Sequence, residues 1–276
     1  MKSEGLSERR SCSLAGLNRA TYQYNAKPKD DGHIRERLRE LAARKLRYGA
    51  PLLTLLIRQE LGAVNHKRIE RIYGEEGLQL PRKRRKGPRY ERKAPLTPAT
   101  RPNERWSMDF MSDSLCDGRK FRLLTIVDDF TRESVEIEAD TSISGERVTR
   151  ILDHLSQWQG LPETFVMDNG PEFTGKAMLI WVQTRGIRLH HIEPGKPNQN
   201  AFIESFNGTF RNECLNAHWF LDIQDAKRET KNWKVEYNTE RPHSSLGGMT
   251  PTAFRRAFEK RNEDAKIGRE LSLTLA

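Results

Sequence analysis

Three acidic residues sit where a folding chain has little reason to put an idle carboxylate. Asp109 falls inside "RWSMDFM", an alternating segment, between Met108 and Phe110. A carboxylate among apolar strand neighbours is unfavourable unless something compensates its charge. Asp168 closes the short apolar run "TFVMD", at the carboxyl end, where α/β sheets place their ligands. Glu204 stands in "NAFIESFNGTFRNECLN", among aromatic residues and just after a Gly/Pro/Asn cluster. Like charges held together are unfavourable unless a divalent cation neutralises them. Carboxylates with no His or Cys around them favour a hard cation, Mg²⁺ or Mn²⁺. Two such ions about 4 Å apart can activate a water or a 3′-hydroxyl and stabilise the leaving oxygen of an in-line phosphoryl transfer.

Blander readings stand beside this one. Asp168 precedes Asn-Gly and is also a natural turn former. Asp128 and Asp129 are rival acids, although they precede "FTRES" at a strand end, where a turn role fits. Asp113, Asp117 and Glu172 are further competitors nearby.

The elements that must position these acids can be read from periodicity. "RWSMDFM", "KFRLLTIVDDF" and "ESVEIEA" are three β-type segments separated by turns, which predicts an antiparallel meander. "GERVTRILDHLSQWQG" is a helix with Val148, Ile151, Leu152 and Leu155 on its buried face. A short strand "ETFVMD", a helix "GKAMLIWVQTRG" ending on Gly186 and a fifth strand "IRLHHI" follow. The order βββαβαβα predicts a mixed five-stranded sheet flanked by helices, with the first and fourth strands as neighbours carrying Asp109 and Asp168 to one edge. On a helix starting near Gln199, Ile203, Phe206, Phe210 and Cys214 form the docking stripe. Asn200, Glu204, Gly208 and Arg211 form a polar stripe beside it, so Glu204 faces the sheet edge. Arg211 is a candidate contact for a DNA phosphate, or else a salt-bridge partner or a solvated charge.

The charge distribution points to the partner. Residues 1–100 hold 24 Lys and Arg against 11 Asp and Glu, a surplus of 13, whereas residues 101–276 hold 24 against 27. The whole net charge of +10 therefore comes from the first third, as expected of an accessory region that binds phosphates; a solvated basic surface is the alternative. Three helical pieces are predicted there. "SERRSCSLAGLNRATYQY" reads as helix, Gly turn, helix, and "HIRERLRELAARKL" places Ile34, Leu38, Leu41 and Lys45 or Leu46 on one face. In "PLLTLLIRQELGAVNHKRIERIYGEEGL", Pro51 opens a helix, Gly62 breaks it, and Asn65 caps a second helix with Ile69, Ile72 and Tyr73 inward. Lys67, Arg68 and Arg71 then face outward where a helix-turn-helix meets DNA, although helix pairs of this shape also serve as plain bundle elements. Next, Arg82, Lys83, Arg84, Arg85 and Lys86 begin a run of eight basic residues that ends at Lys93, before Pro95, Pro98 and Pro102. It reads as an extended linker able to track a phosphate backbone.

Composition excludes other classes. Hydrophobic residues at 36% suffice for a core, yet no run approaches the length of a membrane span. "MKSEGLSERRSCSLAG" has no apolar signal-peptide segment. Cys12, Cys116 and Cys214 are scattered without a CxxC pair, which argues against zinc or a disulfide framework. A soluble protein of the cytoplasm, without membrane contact, is expected.

At the acidic residues the text resembles the DDE transposase and integrase superfamily, most closely the OrfB-type transposases of the bacterial IS-three insertion sequences. "WSMDF", "TIVDDFTRES", "DNGPEF", "IEPGKPNQNAFIESFNGTFRNECLN" and "YNTERPHSSLGGMTP" carry the resemblance over about residues 100–257, and "VNHKRIERIYGEEGL" resembles the family's helix-turn-helix. Thirty-five residues separate Asp168 from Glu204, the D-D-35-E spacing, and Arg211 is the basic residue seven positions later. The resemblance implies a ribonuclease-H-like core in which Asp109, Asp168 and Glu204 bind two Mg²⁺ (or Mn²⁺) ions. It implies cleavage that exposes a 3′-hydroxyl at the element's terminal inverted repeats, then transfer to target DNA without a covalent protein–DNA intermediate. It further implies a homo-multimeric synaptic complex and a product of the upstream frame (OrfA) as partner or fusion, this chain being the catalytic part. Expected domains are a helical DNA-binding region over 1–80, a basic linker over 81–102, the catalytic core over 103–220 and a C-terminal helical extension over 221–276.

Overall fold

The computed structural model describes residues 7–25, 30–81, 97–192 and 200–274. Five strands form one sheet: β1 (Arg105–Ser114), β2 (Lys120–Asp128), β3 (Ser134–Asp140), β4 (Thr164–Met167) and β5 (Arg188–His191), in the order β3-β2-β1-β4-β5. The first three pair antiparallel, whereas β4 pairs parallel with both β1 and β5. This is the mixed sheet expected from the order of elements, with β1 and β4 side by side.

Alternation in the strands gives the sheet two apolar faces. Trp106, Met108, Leu124, Ile126, Phe165 and Met167 cover one. They pack on α6 (Gly145–Ser156), α7 (Pro171–Thr174) and α8 (Lys176–Arg185). Phe121, Leu123, Val127, Ile137 and Ala139 line the other, beneath α9 (Ala201–Glu213) and α10 (Ile223–Thr239). The predicted stripe of α9 is realised: Ile203, Phe206, Phe210 and Cys214 are all buried. Trp233 and Tyr237 of α10 pack against Phe206, and Trp233 also against Phe210, so the apolar packing continues past residue 220. α11 (Pro251–Thr274) runs as helix beyond Arg261, where the polar sequence suggests fraying.

Ahead of the sheet, α1 (Glu8–Leu14) and α2 (Arg19–Gln23) precede a separate cluster made by α3 (Gly32–Arg44), α4 (Ala50–Leu61) and α5 (His66–Glu75). Gly62 ends α4 at φ 78°, and the Asn65 side chain accepts from Lys67 N at 3.0 Å to start α5, as predicted. Of the two residues expected on the inward face, Lys45 or Leu46, Lys45 takes the place. α3 stops at Arg44, which leaves Leu46 68% exposed. Lys45 is the residue turned inward, bridging Glu236 at 2.7 Å and Glu240 at 3.2 Å on and just beyond α10.

The loop after α10 contains a pH-sensitive contact. His243 donates its backbone N–H to Met249 O at 3.0 Å, and its buried ring meets Tyr237 edge-on at 4.8 Å. Burial, helped by the Arg241 charge, pulls the imidazole down to about 4 from 6.5. The unfolded chain thus binds a proton more readily, so this stabilisation is complete above about pH 6.5 and lost as pH falls towards 4. At 1.36 kcal/mol per unit the loss is about 3 kcal/mol. Urea melts of wild type and His243→Gln at pH 7 and 4.5 should show a steeper acid loss in wild type; parallel losses would remove His243 as the cause.

Candidate active site

Asp109 lies opposite Thr125 in the β1–β2 register, on the sheet face covered by α9. Its Oδ1 accepts from Phe110 N at 2.8 Å and its Oδ2 from Asn207 Nδ2 at 2.7 Å. Thr125 Oγ1 sits 3.0 Å from Asn207 Oδ1 and 3.1 Å from the Asp109 carbonyl, so its single proton is shared between them. With its oxygen facing a hydroxyl, the Asn207 amide must turn its NH₂ towards the carboxylate. Burial pushes the Asp109 carboxyl up to about 6, and the charges of Asp168 and Glu204 add to that effect.

Asp168 follows β4 directly. Across the parallel β1–β4 pair, Arg105 faces Thr164 and Ser107 faces Val166; continuing that register by two residues brings 168 level with 109. Its Oδ1 accepts from Gly170 N at 3.0 Å, so the turn role suggested by Asn-Gly is also fulfilled. A Cβ on Gly170 would lie 3.0 Å from that oxygen, hence the glycine. The second oxygen has no hydrogen bond among the described residues.

Glu204 stands in the first turn of α9, exposed, one turn before Asn207 on the same face. Partial burial raises its carboxyl. Among the described residues no three His, Cys, Asp or Glu side chains come close enough to hold one ion. The arrangement is thus a carboxylate pair on adjacent strands, with a third acid on α9 that repels the first without joining it. Oxygen donors of net negative charge suit Mg²⁺ or Mn²⁺, and the raised Asp109 is the group such an ion would relieve.

The rival acids are occupied. Asp128 is fully buried and accepts from Asn103 N, Phe130 N and Thr131 N at 2.7, 2.9 and 2.8 Å. Asp129 is held by Arg105 at 2.5 Å and by Ser107 at 2.7 Å. Glu172 pairs with Arg122, and Asp117 with Arg119 at 2.6 Å.

The basic candidates divide. Lys67 is exposed at the start of α5, whereas Arg68 and Arg71 clamp the buried Asp31 at 2.6 and 2.5 Å. The hydrogen bonds from Arg71 and then Arg68 hold the Asp31 carboxyl below its usual range. Arg211 donates to Ser112 O at 3.1 Å and lies 3.9 Å from Asp113. Arg82, Lys83, Arg84, Arg85 and Lys86 lie outside the described residues. Sequence reasoning missed Asn207, Thr125 and Asp31. Asn207 follows Glu204 by three positions on a helix, which was a usable signal; the other two depend on partners far away in the chain.

Comparison with known proteins gives the family. Two models described as "Integrase core domain" match residues 99–197 and 185–251, and one described as "HTH-like domain" matches residues 29–86. An uncharacterised 31.7 kDa protein of insertion element IS407 from Burkholderia multivorans is 45% identical over 251 residues, 90% of each chain. InsK, a protein of insertion sequence element IS150 in Escherichia coli K12, is 26% identical over 257 residues, covering 87% of this chain and 90% of its own. A chain of the simian T-cell lymphotropic virus intasome superposes with a TM-score of 0.50 at 16% identity, over 79% of this chain and 74% of that one, which shows a shared ribonuclease-H-like fold. With an integrase core, a helix-turn-helix-like region and a relative this similar along most of its length, the chain belongs to the insertion-sequence transposases of the IS-three, OrfB type, and so to the DDE polynucleotidyl transferases.

Proposed function

We propose that Asp109, Asp168 and Glu204 hold two Mg²⁺ (or Mn²⁺) ions and, with them, cleave insertion-element ends and join the freed 3′-hydroxyl to target DNA. The observation that carries this reading is Asp109: a half-buried carboxylate pushed up to about 6, on which the charges of Asp168 and Glu204 both act. Bound ions would supply an activated oxygen nucleophile and charge stabilisation at the leaving oxygen. The protein's own part is positioning. Asn207 fixes one oxygen of Asp109 and Phe110 N–H the other, so the carboxylate keeps a single orientation. The Gly170 turn orients Asp168, and the aromatic seat of Phe206 and Phe210 sets the height of Glu204 over the sheet.

Lys67 and the run Arg82, Lys83, Arg84, Arg85 and Lys86 fit phosphate contacts by charge. Arg68 and Arg71 shape that surface through Asp31, with part of each guanidinium exposed, and Arg211 offers its free edge beside Ser112. Residues 1–80 then form the DNA-binding region, 81–102 the linker, 103–220 the catalytic core and 221–276 its helical extension. A homo-multimer on paired element ends, an upstream-frame (OrfA) partner and a cytoplasmic location complete the proposal. Among the described residues no helix is long and apolar enough to cross a membrane.

Incubating the purified chain with terminal inverted-repeat duplexes, with Mg²⁺ or with chelator, tests this reading. Metal-dependent cleavage followed by joined products is expected; hydrolysis of RNA–DNA hybrids without any joined product would point to a nuclease instead.

A further inference from the structure

Beside the carboxylates, on the flank of α9 turned away from Asp109, lies a cavity of about 490 Å³. Arg132, Phe202 and Ser205 line one side, and Arg241, His243 and Ser245 the other. Among the described residues no Asp or Glu lines it, although charged groups make up 31% of the chain. The cleft between α3 and α10 differs: Glu213, Glu229 and Glu236 share its walls with Lys45 and Arg47.

The two guanidiniums in the cavity are not equivalent. Arg241 is neutralised by Glu213, with contacts at 2.8 and 2.9 Å. Arg132 has no carboxylate at ion-pair distance among the described residues. It donates to the Asp129 carbonyl at 2.5 Å and lies 3.6 Å from the centre of the Phe202 ring. Arg132 also holds a left-handed backbone, φ 63°, that a non-glycine residue adopts only when its surroundings enforce it. The fold thus fixes a half-buried cation against an aromatic face, with the Asp129 and Asp128 carboxylates acting on it only from beyond ion-pair distance. Burial disfavours that charge, and an arriving anion would offset the penalty. The first turn of α9 contributes Ala201 and Phe202 to the same wall, and its N-cap Asn200 makes no side-chain capping bond. The positive end of the helix dipole therefore acts on this space as well. Hydroxyls of Ser205, Ser244 and Ser245 complete a lining able to donate hydrogen bonds to oxyanions, whereas Thr209 spends its proton on Ser205 O at 3.0 Å.

We propose that this cavity binds a phosphodiester of the DNA strand being processed, with Arg132 as its charge partner. The proposal rests on the reading of Asp109, Asp168 and Glu204 as the strand-transfer site. Ser205 directly follows Glu204, so a strand lying across the carboxylates has a neighbouring phosphate within reach of this flank. Arg132 is then a substrate-positioning residue that anchors the strand on the helix carrying the third acid.

The test combines salt titration with a scan of neutralised phosphates, on full-length protein in Ca²⁺ with terminal-repeat DNA. Arg132→Gln should weaken binding about tenfold, the scale of one charge-assisted contact. It should also make the log–log salt slope shallower by about 0.7–0.9. A single methylphosphonate near the cleavage position should weaken wild type to a similar degree and have no further effect on Arg132→Gln. Because Arg132 also holds its turn, Ser245→Asp provides an independent variant: an exposed position that sets a carboxylate at the cavity mouth. It should weaken binding as Arg132→Gln does, whereas Ser245→Ala should not. Wild-type slopes in both charge variants, or strictly additive effects at every methylphosphonate position, would overturn the proposal. Metal-dependent joining by wild type in the same preparations would show that the strand-transfer reading survives that outcome; absence of joining would be the failure of that reading instead.

Discussion

Replacing Asp109 with Asn should abolish strand transfer and, in metal-free buffer, raise the melting temperature. Asp109 gains a proton in the fold at about 6 instead of the ordinary 3.8. A carboxyl raised in this way destabilises the native state once ionised: the penalty grows from about pH 4 to pH 6 and is complete above it. About two units correspond to roughly 3 kcal/mol. Loss of the bond accepted from Phe110 N offsets part of this, since a neutral hydrogen bond contributes about 1 kcal/mol. The net gain expected at pH 7.5 is about 2 kcal/mol, or several degrees for a chain of this size. Below pH 4, where that penalty is gone, the lost bond should leave Asp109→Asn about 1 kcal/mol less stable than wild type. Saturating Mg²⁺ should stabilise wild type and leave Asp109→Asn nearly unmoved, because only a ligand bound by the native state shifts the equilibrium. Activity should fall on the order of a thousandfold or more, the scale of losing a charge-stabilising group in phosphoryl transfer. Paired thermal melts and joining assays check both halves. An Asp109→Asn protein less stable than wild type at pH 7.5 without metal would refute the strained-carboxylate account.

The second large effect is structural and reaches function through α9. Phe210 is fully buried, 4.8 Å from Trp233 and 6.1 Å from Phe206 between ring centres. Phe210→Ala should cost about 3–5 kcal/mol by cavity formation, whereas Phe210→Leu should cost less because most of the volume is kept. Denaturant melts measure the stability. A joining defect in the Leu variant, at a temperature where it is fully folded, would show that the seat of α9 sets the position of Glu204 and Asn207. Loss below 1 kcal/mol for the Ala variant would mean that α9 is not anchored there.

Much of this architecture is legible before any coordinates. Strand alternation and the order of elements foretell a mixed sheet with β1 beside β4, because a meander followed by crossover units has few other solutions. The burial of Ile203, Phe206, Phe210 and Cys214 follows from their 3.6-residue spacing, and the Gly62–Asn65 junction from its capping chemistry. What periodicity cannot supply is pairing over distance. Asp31 meets Arg68 and Arg71, 37 and 40 positions away, and gives two residues expected at the DNA a partner inside the helical region. Asn207 reaches Asp109 across 98 positions and Thr125 across 82, so its role emerges only when helix and sheet are assembled. Periodicity leaves Lys45 and Leu46 as alternatives for the inward place, and the carboxylates of Glu236 and Glu240 decide for the lysine.

The central claim is that three carboxylates from β1, the end of β4 and α9 form one metal site, although Glu204 stands apart from the other two. Anomalous diffraction from crystals of the protein with terminal-repeat DNA and Mn²⁺ tests this most directly. The account predicts manganese peaks ligated by Asp109, with Asp168 and Glu204 completing the set and α9 drawn towards the sheet edge. Manganese bound without Asp109, or shared by acids such as Asp128 or Glu172 with Glu204 still free in solvent, would contradict it.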